Sequence, residues 1–550
     1  MPYFNFTQEI GKHDLVTEEI RGMESEASFF LSTSAAEGLR SSRVADITGE
    51  SSSSESFKSN YAKLPDYLKS CLDYSAIVCW RSYRVEIGKL VRLLLAEGLI
   101  EDRPGDIMED VAEKVLKELI DLKMLQVQQV QQETVVKVPA SYLRLCILKL
   151  EKQDFVSKTA NSPVRLGIRD DGRDIYPNVE GLLIQSLFIL SERRDSSFDS
   201  ARGLSRAYMR NVCGMHFLLV LDLRGSIECL PDELGDLIHL RYLALFNSNL
   251  DELPGTLGNL KRLQTLDIRM CRHLRKLPIE ILHIQQLRHL LMSDSINDCE
   301  IRVPKGIGTL VSLHTLSGIY GGDDIAIELI ALTQLRELGV KRVTDDHASE
   351  LFTAIKKMEN LTSLSLEAER NYFEDTSFSI FAELDAFSPP PLLQEFFLLG
   401  GLIEMPVWFA SMENLTRLSL FYSYLSENPT SVLQLLPKLK HLQLWEAYKA
   451  RHIGKEFCNA GGFPVLETLT IASEFLAEWT EIETGAFPRL RYLCFRRCRN
   501  LIFLPEGLQN ISTLQDLCFF PWNPDLKRRL MGEENYKIKH VPNIRGFENR

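Results

Sequence analysis

Cysteines and histidines are the side chains of this sequence that could bind a metal or act as nucleophiles and bases. Eleven of each are scattered along the 550 residues, and no Cys-x-x-Cys pair occurs. Cys494 and Cys498 are the closest two cysteines, but no second pair or histidine cluster accompanies them. Zinc and redox motifs need such clusters, so the spacing favours reduced thiols in the core or at the surface. No Ser/His/Asp or Cys/His set can be assembled either, so the sequence predicts neither an enzyme nor a metal site.

A bound nucleotide would require a glycine-rich phosphate loop that ends in Gly-Lys-Ser or Gly-Lys-Thr. Backbone amides and the lysine of such a loop hold the phosphates, and its hydroxyl binds magnesium. Gly-Lys occurs at residues 11–12, 88–89 and 454–455, and each copy is followed by a different residue. The run from Phe217 to Asp222 imitates a magnesium-binding strand, but a repeat strand is the simpler interpretation. The sequence therefore predicts no cofactor.

Composition and charge restrict the class of protein. Hydrophobic residues make up 45% and charged residues 25%, which is a globular mix, and the net charge is -12. This acidic balance argues against a general binder of nucleic-acid backbones. No stretch approaches about 18 consecutive apolar residues, and acids stand where a signal peptide would be apolar. The sequence predicts no membrane span and a cytoplasmic location.

A short pattern, Leu-x-x-Leu-x-Leu, recurs from about residue 180 onward in steps of mostly 22 to 27 residues. This period is typical of leucine-rich repeats, whereas a coiled coil would repeat every seven residues. We count fourteen copies, of which the two that start at Ile184 and Leu393 are weaker. The twelve clear copies start at Leu218, Leu240, Leu263, Leu287, Leu313, Leu335, Leu361, Leu415, Leu439, Leu466, Leu490 and Leu514.

Each copy predicts a short strand whose alternate leucines point inward and which pairs in parallel with the next repeat. A Leu-Pro step follows several copies, as at Leu230-Pro231 and Leu253-Pro254, and fixes the backbone where the chain leaves the strand. A single repeat cannot bury its own apolar face, so stability comes from stacked neighbours. The predicted fold class is α/β, a leucine-rich-repeat solenoid, or horseshoe, of about fourteen repeats.

Residues between the leucines should face the concave surface and bind a partner. In the copy at Leu240, the pattern places Tyr242, Ala244 and Phe246 on that surface. Aromatic residues and arginines are the usual hot spots of protein interfaces. The candidate partner-binding residues are Arg224, Tyr242, Phe246, Arg269, His289, Phe421, Trp445 and Arg496.

The sequence before the repeats predicts a different domain. Apolar residues fall at helical spacing in two segments, and an alternating stretch rich in Val, Gln and Thr follows as a hairpin. Helices followed by a two-stranded ribbon form a small winged-helix-like unit. Its basic residues are few and interleaved with acids, so DNA binding is disfavoured. The predicted domains are a disordered serine-rich acidic tail at 1–57, a winged-helix-like domain at 58–160 and the repeats at 161–545.

These motifs together resemble plant coiled-coil nucleotide-binding leucine-rich-repeat (NLR) disease-resistance proteins, over about residues 60–545. In the winged helix the resemblance rests on Leu64-Pro65, Leu68-Lys69, Cys71, Tyr74, Arg92-Leu93, Ala96-Glu97-Gly98, Ala112 and Leu116 to Leu119. In the repeats it rests on segments such as LPDELGDLIHLRYLAL and the ending YKIKHVPNIR.

Two departures from the family pattern bear on the mechanism. The family carries a nucleotide-binding domain before the winged helix, and this chain has no phosphate loop. The family also has a Met/Val-His-Asp triplet that contacts ADP, where this chain has Val138, Pro139 and Ala140. The resemblance therefore implies a truncated or degenerate member without a working nucleotide switch.

The predicted function is defence by protein recognition through the concave face, with no nucleotide turnover. The resemblance implies a pathogen effector, a guarded host protein or a full-length NLR as the partner. An alternative is a fragment of an ADP/ATP-binding switch whose nucleotide-binding domain is missing from the gene model. A ubiquitin-ligase adaptor is less well supported, because residues 1–57 lack the apolar content of an F-box. An extracellular receptor would need a signal peptide and a membrane span.

Overall fold

A computed structural model describes the parts of the chain that carry both predicted domains. The described residues are 57, 59–82, 85–130, 133–139, 142, 164–170, 183–191, 204–225, 227, 229–293, 301–322, 324–370, 378–382, 384 and 387–548. Residues 1–56 of the predicted tail and the predicted domain border near residue 160 lie outside them. The described residues up to Asp267 form one compact unit, and those from Ile268 onward form another.

The first unit begins with the winged helix. Its elements are α1 (Asp66–Ser82), β1 (Val85–Glu86), α2 (Ile87–Glu97), α3 (Met108–Asp121), β2 (Gln126–Val130) and β3 (Glu133–Lys137). The strands form an antiparallel sheet in the order β1-β3-β2. Gly98 ends α2 in the left-handed conformation (φ 77°), and the acids Glu109 and Asp110 lie in the first turn of α3. The structure confirms the predicted winged helix that precedes the repeats.

The same unit continues into the first repeats. Its remaining elements are β4 (Val164–Asp170), β5 (Ile184–Ser191), α4 (Arg206–Cys213), β6 (Val220–Arg224), β7 (Tyr242–Phe246) and β8 (Thr265–Asp267), with 3-10 helices at Asp232–Asp236 and Gly255–Asn259. Strands β4 to β8 pair in parallel in chain order. The prolines of the Leu-Pro steps, Pro231 and Pro254, come directly before the two 3-10 helices. Proline suits this position for two reasons. Its φ is restricted, and its missing backbone donor is tolerated at the start of a helix.

The second unit repeats the same design. Its strands are β9 (His289–Leu291), β10 (Thr315–Tyr320), β11 (Glu337–Val343), β12 (Ser363–Ala368), β13 (Glu395–Leu399), β14 (Arg417–Phe421), β15 (His441–Trp445), β16 (His452–Ile453), β17 (Thr468–Ala472), β18 (Glu478–Trp479), β19 (Tyr492–Arg496), β20 (Asp516–Trp522) and β21 (Asn543–Glu548). All of them except β16 and β18 form one parallel sheet, and those two pair with each other.

Helices connect the strands of the second unit. Its α-helices are α5 (Ile325–Ile330), α6 (Asp345–Lys356), α7 (Thr430–Leu433) and α8 (Pro524–Met531). Its 3-10 helices are Ile279–His283, Ile307–Thr309, Val407–Ser411, Lys455–Phe457, Leu508–Asn510 and Asn535–Lys537. Asn523 caps α8, because its side-chain oxygen accepts from the backbone amides of Asp525 and Leu526.

Each of the fourteen predicted copies leads into a described parallel strand, which confirms the leucine-rich-repeat fold. The first leucine of the clear copies is buried, as at Leu218 and Leu466. Among the described residues, the large parallel sheet also contains two strands that the motif did not reveal, β4 and β21. Strand β4 keeps only the alternating part of the pattern, so that Leu166 pairs with Leu187 of β5. Its missing first leucine explains why a search for the full motif overlooks this repeat.

We expect stacked leucines to supply most of the stability of the second unit. Leu469 is fully buried in β17, between Leu442 and Leu493, and Leu469→Ala should lower the free energy of unfolding by about 2–5 kcal/mol. The matched control is Leu435→Ala, because Leu435 is 71% exposed and its loss should cost about 0.5 kcal/mol or less. Urea unfolding followed by circular dichroism measures both, and equal losses would contradict this account.

Candidate functional site

In the first unit, helix α2 packs against the inner side of the first repeats. The helix is apolar on several faces, and its residues Leu90, Val91, Leu93 and Leu94 are all buried. The apolar cluster that contains them also includes Val220 of β6 and Tyr242 and Ala244 of β7. A helix that is apolar on several faces is buried on several sides. Here one side faces the rest of the winged helix, and the other faces the repeat strands.

A buried ion pair joins the same two parts. Lys89 of α2 donates to the Asp222 carboxylate of β6, and these residues are only 3% and 5% exposed. Arg224 Nε lies 3.6 Å from the other carboxylate oxygen, and Lys89 Nζ lies 6.0 Å from the centre of the Tyr242 ring. Burial and the charge of Arg224 lower the pKa of Lys89 to about 8, against the attraction of Asp222. The ammonium group therefore stays charged at neutral pH and the ion pair remains intact.

A second polar contact fixes the end of α2 to strands β4 and β5. Glu97 Oε1 accepts from Arg165 Nε at 2.6 Å, and Glu97 Oε2 accepts from the Ser186 hydroxyl. The hydroxyl of Tyr74 lies 3.2 Å from the Ser186 oxygen, and burial raises the pKa of this tyrosine. Four hydrogen-bonded side chains thus anchor the winged helix where the repeats begin.

Three predicted partner-binding residues lie in this region, and the structure shows how exposed each of them is. Tyr242 is fully buried beneath α2. Arg224 and Phe246 are half-buried, with the Arg224 guanidinium 5.3 Å from the centre of the Phe246 ring. The inner side of the first repeats is therefore occupied, at least in part, by the chain itself.

In the second unit, the register of the parallel strands sets inner side chains in rows. We call these rows, on strands β13, β14, β15, β17, β19 and β20, the inner ladder. Its first row is Glu395, Arg417, His441, Thr468, Tyr492 and Asp516. Its second row is Phe397, Ser419, Gln443, Thr470, Cys494 and Cys518, and its third row is Leu399, Phe421, Trp445, Ala472, Arg496 and Phe520.

The first row is polar and partly open to solvent. Glu395 is exposed, while Arg417 and His441 are half-buried. Arg417 Nε lies 3.3 Å from Glu395 Oε1, and His441 Nδ1 lies 2.9 Å from the Thr468 hydroxyl oxygen. Burial, together with the charges of Arg417 and Lys440, lowers the pKa of His441 to about 4. The imidazole is therefore neutral over the physiological range, and it adds no pH-dependent charge to the ladder there.

Three of the six side chains in the third row are aromatic, and all three are buried. The rings of Phe421 and Trp445 stack with centroids 5.6 Å apart and an angle of 11°, and Phe397 of the second row lies 5.0 Å from Phe421. Phe421 is 5% and Trp445 7% exposed. At the next strands the Arg496 guanidinium lies 5.6 Å from the centre of the Phe520 ring. The third row therefore packs at the carboxyl ends of strands such as β14 and β15.

The remaining predicted residues of the second unit are also covered. Arg269 and His289 are both buried, and His289 Nδ1 lies 3.1 Å from the Thr315 hydroxyl oxygen. Five of the eight predicted partner-binding residues are thus buried, namely Tyr242, Arg269, His289, Phe421 and Trp445. Arg224, Phe246 and Arg496 are half-buried.

Sequence reasoning overlooked the more open members of the ladder, which include Glu395, Phe397, Gln443 and Thr470. They occupy the third and fifth positions of the repeat motif, whereas most predicted residues occupy the seventh. A residue with positive φ follows the seventh position, as at Tyr422 (53°) after Phe421. The strand ends there, and the chain turns. Alternation along a strand places the third, fifth and seventh positions on one face, so this alternation was the signal that could have added these residues to the candidates.

Other kinds of site receive little support within the part of the chain that the structure describes. No group of three or more His, Cys, Asp or Glu there is placed to hold a metal ion. None of the described helices combines the length and apolar character needed to cross a lipid bilayer. Lys89 of the Gly-Lys pair at residues 88–89 is engaged by Asp222.

Comparison with known families matches both parts of the chain. The family described as "Leucine-rich repeat region" matches residues 201–541. The family described as "Disease resistance protein Winged helix domain" matches residues 81–140.

Similar whole proteins come from Arabidopsis thaliana. The disease resistance protein At1g58400 is 30% identical over 88% of this chain and 54% of its own length. Disease resistance protein RPP8 is 27% identical over 88% of this chain and 54% of its own length. The chain thus spans about half the length of the curated relatives it matches. Among solved structures, a leucine-rich-repeat protein of Leptospira interrogans is 21% identical with a TM-score of 0.44, over 70% of this chain and 99% of its own.

We expect the ion pair of α2 and β6 to hold the winged helix on the repeats. Asp222→Asn leaves the Lys89 ammonium buried without its carboxylate, which should cost about 3–5 kcal/mol. The double variant Lys89→Met, Asp222→Leu removes both charges and should recover most of that loss. Hydrogen exchange of α2, read by mass spectrometry, measures the effect.

The control for this prediction is Asp324→Asn, which breaks the exposed pair of Lys305 and Asp324 and should leave exchange of α2 unchanged. Equal exchange in the wild-type chain and the Asp222→Asn variant would show that the ion pair does not hold α2 in place.

Proposed function

Since this chain belongs to the leucine-rich-repeat disease resistance proteins of plants, we propose that it acts in defence by binding a protein partner through its inner ladder. The observation that carries the proposal is that the inner ladder contains half-exposed polar and aromatic side chains between β13 and β20. The corresponding side of β6 and β7 is covered by α2, which directs the proposal to the second unit.

The chemistry of the ladder suits a protein partner. Phe397 and Arg496 supply residue types that are enriched in interface cores, while Glu395, Gln443 and Thr470 supply a polar surround. The side chains stand on hydrogen-bonded parallel strands, about 4.8 Å apart, and so are held in place before binding. Such preorganisation reduces the entropy lost when a partner binds.

The family resemblance directs the choice of partner. We propose a pathogen effector, a guarded host protein or a full-length NLR, bound in the cytoplasm. We propose that this recognition uses neither a cofactor nor catalysis, because it needs only the surface of the strands. The lysine of the Gly-Lys step at residues 88–89 is paired with Asp222 and holds α2.

We expect charge changes on the ladder to weaken partner binding. The inner variant is Glu395→Arg, Gln443→Glu, Thr470→Glu, and it should weaken binding at least tenfold, about 1.4 kcal/mol, by burying unmatched charge. The outer control, Glu413→Arg, Thr484→Glu, Ser512→Glu, makes the same charge changes at exposed turn residues and should bind normally. The partner is first selected with the wild-type chain from libraries of host and pathogen proteins, and affinity is measured by biolayer interferometry. Loss of binding in the outer variant alone would refute the proposal.

A second candidate is a fragment of an ADP/ATP-binding switch. The observation in its favour is that the chain spans 54% of the length of relatives such as RPP8. The described residues at the matching family triplet are Val138, which is buried, and Pro139, and neither offers an imidazole or carboxylate.

We expect isothermal titration of this chain with ADP and magnesium to show no heat above dilution. The reason is that no Gly-Lys step in its sequence continues into Ser or Thr. A saturable signal with micromolar affinity would favour the switch over pure recognition.

A further inference from the structure

Two cysteines face each other in the second row of the inner ladder. Cys494 of β19 and Cys518 of β20 are directly opposite in the parallel register. The pairs on either side, Leu493 with Leu517 and Phe495 with Phe519, fix that register. Neighbouring strands lie about 4.8 Å apart, which is within the range of Cα separations, about 4.4–6.8 Å, that a disulfide can bridge. The closest cysteines in space therefore differ from the closest in sequence, Cys494 and Cys498.

The contacts of Cys494 favour its reactive form. Burial raises the pKa of its thiol, but hydrogen bonds from Cys518, Tyr492 and Arg496 and the charge of Arg496 together lower the pKa to about 7. The interaction with Cys494, together with burial, raises the pKa of Cys518. The thiolate is the nucleophile in thiol oxidation, and a cationic neighbour is typical of reactive cysteines.

The buried Cys494 has half-exposed neighbours on its own strand. Cys494 is fully buried and Cys518 is 2% exposed, yet Tyr492 and Arg496, which contact the Cys494 sulfur, are half-exposed. Rotation of these two side chains would admit a small oxidant. Cys498 lies in a different setting, because its thiol donates to the backbone carbonyl of Ile471 and burial raises its pKa.

We propose that Cys494 and Cys518 are a redox modification site, which a hydroperoxide converts into a reversible disulfide. The Cys494 thiolate attacks one peroxide oxygen, the O–O bond breaks, and the sulfur becomes a sulfenic acid. The hydroxide that leaves takes up the proton that the Cys494 thiol lost to solvent on ionisation, and so becomes water. The Cys518 thiol then attacks that sulfur, the S–S bond forms, and a second water leaves. Both sulfurs are oxidised by one electron each, the peroxide is reduced by two, and a dithiol reductant reverses the change.

The disulfide would alter the surface of the ladder. The bond joins β19 to β20 and removes the thiolate that Tyr492 and Arg496 contact. Both side chains belong to the ladder, so oxidation changes its shape and charge at this end. The inference rests on the thiol pair itself and holds whether or not the ladder binds a partner.

The test is peptide mapping of the full chain after titration with hydrogen peroxide. Remaining thiols are alkylated, and the protein is digested with trypsin, which cleaves after Arg496 and Arg497 and so separates Cys494 from Cys498. We expect the first disulfide to join the peptides of Cys494 and Cys518, with a mass lower by two hydrogens, and to disappear after reduction with dithiothreitol. A first disulfide between other cysteines, or oxidation of Cys494 no faster than that of Cys498, would overturn the proposal.

Two variants sharpen the result. Cys518→Ser removes the resolving thiol, so the disulfide should be lost and Cys494 should accumulate as a sulfenic acid that dimedone labels. Cys498→Ser is the matched control, since it removes a neighbouring buried thiol and should leave the Cys494–Cys518 disulfide unchanged. Persistence of an equal cross-link at Cys494 in the Cys518→Ser variant would refute the assignment, and the wild-type map decides the matter even if a variant folds poorly.

Discussion

The structure depends on one constraint: a leucine-rich repeat cannot bury its own leucines. Each strand therefore requires a neighbour, and residues such as Leu442, Leu469 and Leu493 pair across consecutive strands with no exposed surface. The same stacking fixes the strand register, because a shift by one residue would turn every leucine to the opposite face. Burial of leucine on one side of the strand thus determines which side chains stand on the other.

The inner face of the strands has a different environment in each of the two units. In the first unit it packs against α2, through an apolar cluster and the buried pair of Lys89 and Asp222. A buried ion pair adds little net stability over an apolar contact, but loss of one partner is costly, so the pair favours one specific docking of α2. In the second unit several corresponding positions, such as those of Gln443 and Thr470, are half-exposed and polar. The difference arises from the side chains between the leucines, since the repeats themselves are alike.

The register also creates chemistry that a single repeat lacks. Cys494 and Cys518 are separated by a complete repeat in sequence, yet they face each other on adjacent strands, and Tyr492 and Arg496 flank Cys494 on the same strand. The stack of Phe421 on Trp445 arises in the same way, from equivalent positions of successive repeats. In such a sheet, neighbours are determined by position within the motif, so functional groups must be sought across repeats.

The sequence by itself determined the repeat fold and the winged helix, because periodic leucines and helical spacing express local burial that needs no knowledge of distant contacts. It also determined which face Phe421 and Trp445 belong to. Only the tertiary structure decided how exposed they are, since their rings stack on each other across two strands and Phe397 packs beside Phe421. The covering of Tyr242 by α2 and the pairing of Cys494 with Cys518 were likewise decided in three dimensions. These contacts join residues far apart in sequence, and a local pattern carries no information about them.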